Sequence, residues 1–457
     1  MLLAILLSAA SLADWVPTRW ISSNPKSLDL LTDTPINCLL LERDQWSRAL
    51  VEEAARRNIA TLGVIRPSAR AAEEARGVLE QHLTGLVLEG EFPAATVEQL
   101  RQAAAARSAP LIQLQPRYAL RLEGREEILG TYQGVWPGLQ VQEETGTTHA
   151  GPTGSPWINT NTGFLRFARA ASRAQFWIGN LPPEKKPPDP HQYLHAICDA
   201  AMIGARWIVA LDSAFATQLL AGDAKALQNW QRMGNYLRHF ETHKQWRSLP
   251  PYGQLAVVQD ADSGGLLAGG ILDMIAVKHT PVRAVPRARL AGTDALSGAR
   301  MAVNVDAEVL TPEQKEALRN FARGGGTLLT APPGSKLPPP QADEITLSKE
   351  ELEKIDNLWR GVNTMIGREN LGVRLFNVSA MLSHLLAEDG GKRLVLHLVN
   401  YTDYPVENIT AQFPGKYAKA TLITPESPGG PLEVFTVDGN TGVEIDAVPV
   451  FATLVIE

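Results

Sequence analysis

The chain has 457 residues, of which 44% are apolar and 20% charged, with a formal net charge of −6. At roughly 100–200 residues per domain this length calls for two to four domains, each able to bury a core without disulfide staples. No long basic run occurs, which argues against nucleic acid as a partner; mild acidity fits a neutral or polar substrate such as a sugar without selecting one.

The opening MLLAILLSAASLA has an apolar core followed by small residues at Ser11 and Ala13. This is the pattern of a secretory signal peptide over residues 1–13, cleaved before Asp14, and it implies a secreted or periplasmic protein; a buried N-terminal strand is the other reading. No other stretch approaches the ~20 apolar residues that span a bilayer, so no membrane span is expected. Cys38 and Cys198 each sit in an apolar run and read as buried structural thiols. Neither a C-x-x-C spacing nor a Cys/His cluster suggests metal or redox work.

From residue 14 to 248, short apolar runs alternate with amphipathic helices. The runs are Ile36–Leu41, Ala60–Ile65, Gly85–Leu88, Leu111–Gln115, Leu139–Gln142, Gln175–Gly179 and Trp207–Leu211, with Thr18–Ser22 as an eighth at the start. Near-continuous apolar strands belong to parallel sheets covered on both faces. Helices are predicted over Trp46–Asn58, Ser68–His82, Ala94–Arg107 and Ala224–Trp246. The alternation and its spacing predict a TIM-like (β/α)8 barrel. Two insertions, Thr145–Thr162 and the proline-rich Leu181–Pro190, follow strands and should lie on the face where the βα loops gather.

A second unit, over residues 252–340, opens with Gln254–Gln259 and continues with a helix over Leu266–Val277, a strand over Arg300–Val305, a helix over Pro312–Arg323 and a strand over Thr327–Thr330. Thr311 is placed as the N-cap of the Pro312 helix, with proline in its first turn. This is a small flavodoxin-like α/β domain. After a linker and helical segment over 341–370, residues 371–457 change period. Arg393–Asn400, Val406–Phe413, Ala418–Thr424, Leu432–Val437, Gly442–Ile445 and Val450–Ile456 are short strands joined by turns such as Asp438-Gly439-Asn440, the pattern of a C-terminal antiparallel β-sandwich. The fold class is thus multidomain α/β.

This order resembles that of the family 42 β-galactosidases and related clan A glycoside hydrolases. The resemblance is carried by LTPEQKEALRNFARGGGTLL (Leu310–Leu329) in the second unit and RLVLHLVNYTDYPVENI (Arg393–Ile409) at the start of the third. The second unit also resembles class I glutamine amidotransferases, yet it contains no cysteine, so a thiol nucleophile is impossible there. The family resemblance implies instead a structural or homo-oligomeric role for this amidotransferase-like domain.

In a barrel enzyme the working residues stand at the C-terminal ends of strands, and glycoside hydrolysis needs two carboxyl groups flanking the scissile bond. The candidates are Glu89 and Glu91 after Gly85–Leu88, Glu143 after Leu139–Gln142, and Asp212 after Trp207–Leu211. The clan resemblance implies an acid/base glutamate on strand four, where Glu89 falls, and a nucleophilic glutamate on strand seven, where Asn180 and Leu181 stand instead. Each acid also has a plainer reading, Asp212 as a helix N-cap above all. Trp157, with Asn159 and Asn161 beside it in a polar loop, and Asn180 are candidate sugar-binding residues; the asparagines also suit turns. His191 and His195 lie four apart on a predicted helix, with no third ligand in sight, so neither a metal nor a cofactor is expected. Two functions stay open: an exported glycoside hydrolase, and a catalytically silent relative that binds carbohydrate or another protein.

Overall fold

In a computed structural model, residues 11–122, 124, 126–140, 147–149, 157–259, 272, 279–292, 294–305, 310–330, 346–378 and 380–457 are described. Eight parallel strands form one sheet: β1 (Pro17–Arg19), β2 (Cys38–Leu41), β3 (Ala60–Ile65), β4 (Gly85–Glu89), β5 (Leu111–Gln115), β6 (Ile128–Thr131), β7 (Gln175–Ile178) and β8 (Arg206–Trp207). Thr18 bridges Val209 in parallel, and the Arg19 amide donates to the Val209 carbonyl at 2.7 Å. These contacts bring the first strand to the last and nearly close the ring into the expected barrel.

One barrel strand differs from the sequence expectation. Leu139–Gln142 was expected in the ring, but Gly138–Gln140 pairs antiparallel with Trp157–Asn159 outside it. The sixth strand is Ile128–Thr131, which joins β5 to β7. The swap leaves the count from β1 intact, so Glu89 ends the fourth strand and Gln175–Ile178 is the seventh.

Strand pleat sorts the side chains into two shells. Cys38, Leu40, Leu62, Val64, Val87, Ile112, Leu114, Ile128, Trp177 and Ile208 pack with one another in the lumen. Their neighbours Leu39, Leu41, Ile65, Leu86, Leu88, Leu129, Phe176, Ile178 and Val209 belong to the core that runs outward to the helices. The lumen is therefore a packed interior. Cys38 and Cys198 are both buried free thiols, held protonated by burial.

Among the outer helices, α1 is Arg48–Arg56, α2 Ala71–Glu80, α3 Ala94–Ala105, α4 Thr162–Ala171, α5 Pro190–Met202, α6 Ser213–Leu220 and α7 Ala224–Thr242. Each of the last three starts at an aspartate whose side chain accepts from backbone amides of the first turn: Asp189, Asp212 and Asp223. Such caps satisfy amides that the helix itself leaves open.

The second unit is a four-stranded parallel sheet in the order Val282–Pro286, Leu255–Gln259, Met301–Asn304, Thr327–Thr330. The strand over Val282–Pro286 was not expected, while the expected helix Leu266–Val277 lies outside the described residues except for Leu272. Thr311 caps the helix Pro312–Arg323 in a capping box with Gln314. One sheet face (Leu255, Val257, Met301, Val303) joins the barrel's outer core, and the other (Ala256, Val258, Ala302) packs with Leu318 of that helix.

The third unit is an antiparallel sandwich. One sheet runs Arg374–Phe376, Val406–Phe413, Asn440–Val448, Val434–Val437. The other runs Met381–Glu388, Arg393–Asn400, Phe451–Ile456, Ala420–Ile423, Gly430–Leu432. Asp438 and Gly439 both take positive φ, 50° and 79°, which closes the two-residue hairpin between Val437 and Asn440. Leu382, Val399, Tyr401 and Phe451 pack into the barrel's outer core, so the three units share one continuous apolar interior.

Candidate functional site: the barrel mouth

The inward register that fills the lumen continues one step further at each of the first four strand ends. Pro17 leads to Arg19, Leu40 to Glu42, Val64 to Arg66 and Val87 to Glu89. Four charges of alternating sign therefore line one half of the mouth. They form a closed network: Arg19 bonds Glu89, and its Nη1 reaches Glu42 at 3.2 Å. Arg66 meets Glu89 at 2.9 and 3.1 Å and Glu42 at 2.6 and 2.8 Å. Glu89 is 6% exposed. Burial opposes charge on Glu42, but the hydrogen bond from Arg66 and the charges of Arg66 and Arg19 outweigh it and hold the carboxyl below its ordinary value. Arg66 is correspondingly held more firmly protonated, first by its hydrogen bond to Glu42.

Gly90 allows this packing. Its φ is +123°, and a Cβ there would sit 2.8 Å from Cδ of Pro67. The chain after Glu89 thus lies directly against the segment that carries Arg66.

The other half of the mouth is built differently. Its inward positions are Leu114 on β5, Gly130 and Tyr132 at β6, Gly179 after Trp177 of β7, and Ile208 after β8. Gly179 ends the seventh strand directly before Asn180 and Leu181, the positions where a catalytic glutamate was sought. A Cβ on it would lie 2.8 Å from Cβ of Ile208, so the position admits no side chain without rearrangement.

The remaining sequence candidates are placed as follows. Asp212 accepts from the amides of Ala214 and Phe215 at 3.0 Å and from Tyr193 Oη at 2.9 Å, so it is the N-cap of α6. Glu91 accepts from Tyr118, which is 46% exposed at the rim. Asn180 donates to the Gly134 carbonyl at 2.8 Å. Asn161 is fully buried; its Oδ1 accepts from Arg117 and from the Val135 amide at 2.8 Å, and its Nδ2 donates to the Val135 carbonyl at 2.9 Å and Asp199 at 2.8 Å. Asp199 also accepts from Tyr401 of the sandwich at 2.6 Å. Trp157 and Asn159 lie in the short strand paired with Gly138–Gln140, and Glu143 lies outside the described residues. The structure thus brings Glu89 together with Arg19, Glu42 and Arg66, which the sequence candidates did not include.

His191 and His195 have ring centroids 6.4 Å apart. Burial pushes His195 down to about 4, which keeps it neutral. Among the described residues no three histidine, cysteine or acidic side chains gather as a metal site, and no helix is long and apolar enough to cross a membrane.

No protein-family model matches the sequence, and a search of curated proteins finds no match. Solved structures do match in shape. An α-L-fucosidase isoenzyme from Paenibacillus thiaminolyticus superposes with a TM-score of 0.59 at 10% identity, over 97% of this chain and 98% of that one. A β-galactosidase from Rahnella sp. R3 gives 0.53 at 8% identity, over 96% and 99%. Likeness at such identities is likeness of fold: this chain has a glycoside hydrolase-like architecture, a nearly closed eight-stranded parallel barrel with further sheets packed against it.

Proposed function

We propose that this chain is a catalytically silent relative of glycoside hydrolases that binds carbohydrate across its barrel mouth. The observation behind this reading is the cross-neutralised quartet Arg19–Glu42–Arg66–Glu89 facing Gly179. Hydrolysis needs one carboxyl held protonated by an apolar setting and another left ionised to attack or to activate water. Here both carboxylates share two guanidinium groups, Glu42 is held below its ordinary value, and the facing strand end has no acid. The same groups suit hydroxyl recognition, since guanidinium groups donate and carboxylates accept. Exposed Tyr118 and half-buried Trp136, which donates to the Leu181 carbonyl at 3.2 Å, add ring surface above the mouth.

The test pairs a glycosidase screen with glycan binding on the same panel. We expect no turnover, and saturable binding to at least one glycan that Arg66→Ala weakens about tenfold, the effect of losing a charged hydrogen-bond donor. Turnover abolished by Glu89→Gln would overturn silence, and a panel with no binder would overturn carbohydrate recognition. Export is part of the same reading and rests on the leader-like residues 1–13; a secreted product whose N-terminus is Asp14, measured by mass spectrometry, checks it.

A further inference from the structure

A second cluster of cations lies away from the mouth. Helices α4 and α5 end on the side where β7 and β8 begin, the opposite end of the barrel. There the C-terminal half of α4, the end of α5, the chain after α7, the strand Val282–Pro286 and the sandwich strand Met381–Glu388 enclose a cavity of about 360 Å³. Its described lining contains five arginines (166, 169, 247, 283, 289) and three histidines, and no aspartate or glutamate.

The given partners of Arg169, Arg283 and Arg289 are backbone carbonyls. Arg169 donates to the carbonyls of Gly204, at 3.1 Å, and Arg247. Arg283 donates to Ser297 O at 2.9 Å, and Arg289, at the rim, to Ala171 O at 3.0 Å. Arg166 meets His384 Nδ1 and Ser383 O, both at 2.7 Å. Arg247 meets Glu241 at 2.5 Å, and Glu241 also serves Arg206 at 2.9 Å. Two guanidinium groups thus share one carboxylate. The Nε of Arg283 is buried with no hydrogen-bond partner. Burial lowers the proton affinity of Arg169, Arg247 and Arg283, with the charge of Arg247 adding to it at Arg169. Beside them His243 stacks on Trp246 at 4.2 Å and 10°, and Phe240 completes an apolar wall.

An open buried guanidinium donor on Arg283, further arginines and stacked rings, in a volume of the size that takes small organic molecules, match one chemical class. We propose that this cavity is a binding site for a small organic oxyanion, a molecule with a phosphate or carboxylate group and a ring-sized body, separate from the barrel mouth. The oxyanion takes the open donor of Arg283 together with Arg169, since guanidinium forks fit such groups in pairs, and the body lies against Trp246 and Phe240.

Calorimetric titration of the full chain with inorganic phosphate, glucose 6-phosphate and glucuronate tests this, at matched ionic strength with chloride as control. We expect saturable one-to-one binding by at least one, tighter for an organic anion than for inorganic phosphate. The comparison of glucose 6-phosphate with glucuronate assigns the headgroup. Arg283→Gln should weaken binding about tenfold or more, and Arg48→Gln, on the exposed face of α1, should leave it unchanged. Arg283 bonds only one carbonyl, so its variant keeps the fold; Arg169→Gln, checked for folding by circular dichroism, gives a second reading. The proposal is overturned if none of the three anions saturates the protein up to about 10 mM, where binding is too weak to be specific, or if binding survives both substitutions. Its failure leaves the reading of the mouth untouched, because that reading rests on neutral glycans.

Discussion

The two ends of the barrel use buried arginine in opposite ways. At the mouth, Arg19 and Arg66 meet Glu42 and Glu89 in equal number, and the charges cancel within the protein. At the other end, Arg169, Arg283 and Arg289 lean on carbonyls, and Glu241 is divided between Arg206 and Arg247. A guanidinium group is costly to bury in either place. Where the acids are built in, the result is a closed ring; where fewer stand among the described residues, the proposed ligand brings the anion from outside. The mouth resembles the place of a hydrolase site by position, while the junction cavity resembles a binding site by its unmet chemistry.

Substitutions can break this contrast. The largest effect should come from Glu89→Leu, which strips Arg19 of its buried partner. We expect a loss of about 3–5 kcal/mol in urea unfolding. Adding Arg19→Met should restore most of it, because the Arg66–Glu42 pair remains and no buried charge is left alone. A double variant as unstable as the single one would mean that the quartet is not the unit it looks like. Next, Gly179→Ala forces a methyl group against Ile208 and should cost about 1–3 kcal/mol, measured the same way.

Acid should separate the two ends by pH. His397, at the cavity wall, bonds Thr453 at 2.9 Å, and burial with the nearby charges of His239 and His243 pushes it from 6.5 down to about 3. Between those values the unfolded chain holds the extra proton, so stability is complete above pH 6.5 and falls as the pH drops towards 3. His397 should contribute about 1 kcal/mol of the loss near pH 5.5, and His397→Gln should reduce the loss by that share in a series of thermal melts, while His195, His239 and His384, lowered by burial likewise, keep the rest. Glu42 works lower: its lowered value means its contribution is present above its ordinary 4.5 and lost below that. The smallest effect is expected for Arg283→Gln, within about 0.5 kcal/mol without ligand; a large loss would make Arg283 part of the scaffold.

How far the sequence could be read follows from local chemistry. Strands with one long apolar run, such as Ala60–Ile65 and Arg393–Asn400, were legible to the residue. Ile128–Thr131 was not, since its four residues include a glycine, whereas LQVQ alternates convincingly but pairs outside the ring. Val282–Pro286 was hidden by Arg283 in its middle, and Met381–Glu388 by a mixed period that only its pairing with Arg393–Asn400 resolves. Glu89 was found because it ends a run. Arg19, Glu42 and Arg66 were missed, although counting two residues on from Leu40 and Val64 points straight at two of them.

The bond from Tyr401 to Asp199 carries a consequence for anyone cutting this protein into parts. Asp199 sits at the heart of α5, fully buried, and also secures Asn161, which ties together the loops after β5 and β6. A fragment ending at residue 248 would trade the phenol of Tyr401 for water at that carboxylate and uncover the apolar face beside it. The rim of the barrel is thus governed from a distance by the last hundred residues, which act as a clamp that cannot be detached like an appended module.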